Sequence, residues 1–144
     1  MSNTMNHTTS HAARAALQQA IDAIESSYEF MLAYAAQGRD AEPRAPEPTI
    51  RTTLTTLETA LDGLCDRARA CATGSAEALT AVDEFLSVAR RDVAAARAAV
   101  RLALAVPSIG SQLVDNLNAS IHVRALLTDV FLLDEALKLL ARDG

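Results

Sequence analysis

The sequence predicts an all-α protein, an antiparallel four-helix bundle, and three observations carry that expectation. Apolar residues recur at alternating spacings of three and four along most of the chain, the period of a helix with one face in a core. Half of the residues are hydrophobic, yet much of that is alanine and aromatics are only 3%, a composition suited to long, closely packed helices. Glycine and proline are scarce, five and four of 144 residues. That length fits one domain with room for a core that needs no metal or disulfide. We place that domain at 10–144, after a tail at 1–9 that has no apolar pattern and is expected to be mobile.

The first helix is expected to start with Ser10 as N-cap and to run to about Gln37, with Gly38 just past its end. Its stripe reads Ala13, Leu17, Ala20, Ile24, Tyr28, Met31 and Ala35, widened by Ile21 and Leu32. Tyr28 therefore belongs to the core, whereas Phe30 and Tyr34 lie off the stripe, placed to cover the last helix or a partner. The segment from Arg39 to Pro48 holds three prolines and alternating charges, so it reads as a stiff extended connection between helices one and two.

Helix two opens near Thr49. Its threonine run favours a strand by propensity, but Ile50, Leu54, Leu57, Leu61, Leu64, Ala68 and Cys71 repeat at helical spacing. Gly74 ends it and Ser75 begins helix three, whose stripe is Leu79, Val82, Leu86, Ala89, Val93, Ala96, Val100 and Ala103. A second stripe of Phe85, Val88, Ala95, Ala99 and Leu102 gives this helix two apolar faces, as expected of one covered on more than one side. Pro107 then forces a turn.

Helix four, from about Ser108 to Arg142, carries the polar insert Asp115 to Arg124 within an otherwise apolar segment. Before His122 the residues Leu113, Val114, Leu117 and Ile121 share one side. After it Leu126, Val130, Leu133, Leu137 and Leu140 share nearly the opposite side. Such a helix either touches different neighbours at its two ends or bends near Asn116 to Ser120, where poor helix formers gather. The insert is then a solvated patch, a polar contact between helices or subunits built on Asn116, Asn118, His122 and Arg124, or a ligand pocket.

Chemical signatures are few. The net charge of −5 speaks against a nucleic-acid partner, and no run is long and apolar enough for a membrane span. Cys65 and Cys71 are too far apart on one helix to bond, which fits a reducing compartment. With a polar amino-terminal stretch unlike a signal peptide, that gives a soluble, cytoplasmic expectation. Neither thiol has a nucleophile's context. The three histidines, His7, His11 and His122, do not supply a metal set, and no glycine-rich phosphate loop occurs. Arg90, Arg97 and Arg101 form one row on helix three, either solvated or facing an acidic partner.

No cofactor and no catalytic residue are expected. The expected function is a non-catalytic interaction protein, an accessory, assembly or regulatory factor, self-associating as a homodimer and open to a further protein partner. The alternative is a small-ligand bundle with a pocket near Asn118, His122 and the helix-one aromatics.

Overall fold

The computed structural model describes residues 2–142, and the side chains of all of them but 2, 3, 6 and 7. They form α1 (Ser2–Ala36), α2 (Ile50–Leu61), α3 (Leu64–Ala70), α4 (Ala76–Ala105), α5 (Ser111–Ala119) and α6 (Ile121–Arg142). The all-α expectation holds, and no strand occurs among the described residues. The count of four helices is corrected to six, because two of the expected helices are broken.

The first break lies between α2 and α3. Asp62 is extended and Gly63 takes a left-handed φ of 70°, a conformation that glycine alone adopts without steric cost. The apolar spacing runs through this break undisturbed, which is why periodicity concealed it. The second break is at Ser120, whose ψ of 143° ends α5 while its hydroxyl accepts from the Val123 amide at 3.3 Å to start α6. This is the bend foreseen near Asn116 to Ser120. It explains the change of face: Val114 and Leu117 are buried by α5, Leu126, Val130, Leu133 and Leu137 by α6, and Ile121, just past the break, is left exposed.

The amino-terminal boundary also differs. The helix begins at Ser2, so Ser10 is no cap, and the described part of the tail expected at 1–9 is helical. The helix forms there although Ser, Asn and Thr are poor helix formers, and the Thr8 and Thr9 hydroxyls turn back onto the Thr4 and Met5 carbonyls four residues earlier. Met1, Asp143 and Gly144 lie outside the described residues, as does the side chain of His7.

The core is assembled from every helix. Leu17, Ile24 and Met31 of α1 meet Ile50, Leu54 and Leu61 of α2, Val100 of α4, Val114 of α5, and Val123 and Leu126 of α6, all essentially inaccessible. Each large aliphatic chain buried in this way contributes about 1.5–3 kcal/mol before its ordering entropy is subtracted. The α4 seam matches the expected stripe from Val82 to Ala103, and Ser75 caps that helix by accepting from the Ala78 amide.

In α1 the seam is Leu17, Ala20, Ile21, Ile24, Ser27, Met31 and Tyr34. Tyr34 is therefore core and Tyr28 only half-buried, the reverse of the expectation. The small Ser27 occupies the seam position that an apolar-only reading assigned to its neighbour.

Partners fix the directions. Ser111 touches Tyr34, Asn118 touches Met31 and Asp134 pairs with Arg14, so α5 and α6 run back along α1. Leu140 lies beside Gly74 and Asp129 beside Asp92, so α6 is antiparallel to α4.

Candidate functional site

The polar insert divides into an inner and an outer set. Asn118 is buried, and its Nδ2 donates to the Met31 carbonyl at 3.1 Å, tying α5 to α1. Its Oδ1 is buried with no hydrogen-bond partner among the described residues. Asn116, His122 and Arg124 are exposed, and Asn116 accepts from Gln112 on its own helix. Phe30 is half-buried and stacks on Tyr34, with ring centroids 6.4 Å apart. Asn118 and Arg124 share an open groove of about 420 Å³ with Tyr28, Leu32 and Asp115, whereas His122, Phe30 and Tyr34 do not line it. The structure thus brings only two of the six singled-out residues together there.

Tyr34 serves a different assembly, one the sequence did not reveal. Its hydroxyl donates to the Ile109 carbonyl, and its own carbonyl accepts from the Ser111 hydroxyl at 2.7 Å. Ser111 exchanges two 2.8 Å bonds with the backbone of Arg39. Glu42 receives both the Arg51 guanidinium and the Ile109 amide, and Arg51 also donates to the Leu104 and Val106 carbonyls that end α4.

The proline-rich connection is therefore clasped against the α4–α5 turn. Gly110 permits the approach, because a Cβ there would come within 3.0 Å of the Arg39 carbonyl oxygen. The Arg51 hydrogen bonds hold the Glu42 carboxyl below its ordinary range. Burial raises the Tyr34 hydroxyl, with the charge of Glu42 adding to it. No local pattern announces these contacts, whose partners are up to 77 residues apart.

Asp129 is a strongly perturbed acid. It is buried on α6 against Asp92 of α4, and its Oδ2 has no hydrogen-bond partner among the described residues. Burial, then the neighbouring Asp92, push its carboxyl up to about 7. It lines an internal cavity of about 20 Å³ with Leu17, Ile21, Cys65, Val93 and Val130. Cys65 is buried, and Cys71, the one on the expected stripe, is only half-buried. Burial raises both thiols, away from the reactive thiolate form.

An uncovered apolar groove lies along the seam of α4 and α6. It measures about 440 Å³ and is lined by Ala81, Phe85, Leu132, Ala136, Leu139 and their neighbours. Val88, Leu132 and Leu139 are 43%, 56% and 48% exposed, and Leu102 and Ile121, elsewhere on the same two helices, are 70% and 75% exposed. This is the second stripe expected of the third helix, and no element of the described chain covers it. The arginine row faces inward to acids of this chain instead. Arg90 pairs with Asp66, Arg97 and Arg101 with Glu58, and Arg69 returns to Asp83.

Among the described residues no group of three or more potential ligands is placed to hold a metal ion, and no helix is long and apolar enough to cross a membrane. Comparison of the chain with protein-family models, with characterised proteins and with solved structures finds no match, so the functional reading stands on the geometry alone.

Proposed function

We propose that this protein is a non-catalytic helical interaction protein, an accessory, assembly or regulatory factor that works by protein–protein contact through the α4–α6 face. One observation carries the reading: an apolar groove lined by Phe85, Leu132, Ala136 and Leu139 is left open along the α4–α6 seam, with Val88 exposed on α4 three residues beyond Phe85. Contiguous exposed apolar surface of this kind marks contact sites, because covering each such side chain contributes about 1–3 kcal/mol.

The test is a photo-crosslinking amino acid placed at Leu132 in the native host, with Glu25 on the outer face of α1 as control. Protein adducts from the Leu132 position alone support the proposal. No protein adduct from either position sinks it.

A second reading, a small-ligand protein, is favoured by the Asn118 oxygen that lacks a partner among the described residues, beside the groove of Tyr28, Asp115 and Arg124. Its test is a thermal-shift panel of small metabolites, in which no compound raising the melting temperature, or an equal rise in an Arg124→Ala variant, rejects it.

A further inference from the structure

We propose that the occupant of the α4–α6 face is a second copy of this chain, packed about a two-fold axis that sets α4 antiparallel to its mate and α6 antiparallel to its mate. The inference rests on the interaction reading above and adds the partner's identity and geometry. It is carried by the charges that border the apolar strip.

On α4 the outer edge reads Glu84, Val88, Arg91, at spacings of four and three, so the three lie on one line of the helix. On α6 it reads Arg124, Thr128, Phe131, Glu135, at four, three and four. Over these spans each edge carries one acid and one base with exposed apolar or neutral residues between them, Glu77 and Arg142 lying farther out on the same two lines. All four charged residues are exposed, and none forms an ion pair among the described residues. By contrast, the arginines facing α2 and α3 are paired.

An edge of this form is complementary to itself reversed. A two-fold axis through Val88 places Glu84 against the Arg91 of the other copy and Arg91 against its Glu84. An axis near Val130 does the same for Arg124 and Glu135. The isologous rule requires both axes to be one axis. The antiparallel pairing of α4 with α6, fixed by Gly74 beside Leu140 and Asp92 beside Asp129, puts Val88 and Val130 at the same height within about one helical turn. Two independent edges thus share a centre, at the end of the groove where Phe85, Val88 and Leu132 lie, so that the mate would extend over the groove from there.

The experiment combines charge exchange with directed crosslinking of the full chain. The unmodified protein is expected to sediment as a dimer. Arg91→Glu or Glu84→Arg alone weakens association about tenfold or more, since symmetry makes each substitution act twice. The double variant Glu84→Arg with Arg91→Glu restores it.

Under oxidation Val88→Cys links to its own mate, because it lies at the axis, and Leu102→Cys does not, because antiparallel packing separates the two copies of that residue by roughly 40 Å. These crosslinks keep the test independent of how the charge variants fold. A monomer at every concentration overturns the inference, as does a double variant no better than the singles, or linkage at Leu102→Cys. A monomer that still crosslinks to another protein through Leu132 overturns the second-copy identity and leaves the interaction reading in place.

Discussion

Asp129 sits where its charge is unwelcome, nine-tenths buried, beside a second carboxylate and with one oxygen unpartnered among the described residues. Its folded value of about 7 lies above the ordinary carboxylate value of 3.8, so the folded state holds the proton longer than the unfolded chain does. Stability from the neutral acid is full below pH 4, declines as pH rises towards 7, and is flat above. Asp129→Asn should remove that decline and raise stability at pH 8 by about 2 kcal/mol, read from urea denaturation across pH. An unchanged pH profile would refute the assignment.

Tyr34 makes the opposite case, a buried polar group that is satisfied. Tyr34→Phe leaves the ring and its stacking but removes the bond to Ile109, and should cost about 1 kcal/mol. The same denaturation curves check it, and a neutral result would mean that the clasp does not depend on that hydroxyl. Of the two, only Tyr34 stands out in the sequence, as an aromatic placed to cover the last helix or a partner, and its place in the core does not. Asp129 reads as one more polar position on a helix, and Tyr34 falls off a stripe drawn from apolar residues alone.

Among the elements, breaks rather than helices carry the information. Ser120 ends α5 and caps α6, and this hinge lets one continuous polar–apolar pattern bury two different faces. Ser120→Ala removes the side-chain cap while keeping a helix-forming residue. It should cost about 1 kcal/mol and increase amide exchange at Val123, seen by hydrogen exchange; equal exchange in variant and parent would show the cap to be idle. Gly63 plays the matching part between α2 and α3. Helix positions and most seam residues were legible because burial follows the 3.6-residue period. The breaks were harder, since a single residue outside the helical region leaves the apolar spacing on either side in register.

For the whole molecule, the uncovered α4–α6 face sets the outlook. Leu132→Gln with Leu139→Gln changes exposed positions, so at a concentration low enough for the parent to be monomeric the melting curve should move by no more than about 0.5 kcal/mol equivalent. The same variant should shift the sedimentation profile to monomer. A large loss of stability with association intact would show that these residues serve the monomer's core.

What the sequence determined by itself was the helical class, the apolar seams, the cap at Ser75 and the double-faced character of the third predicted helix, because each follows from local propensity and side-chain period. Tertiary structure decided which of two apolar faces found a partner within the chain. It also decided that the arginine row pairs with Asp66 and Glu58, and that Tyr34, Glu42, Arg51 and Ser111 converge on one turn. Those outcomes depend on contacts tens of residues apart, and no residue's own neighbourhood in the sequence encodes which distant group will meet it.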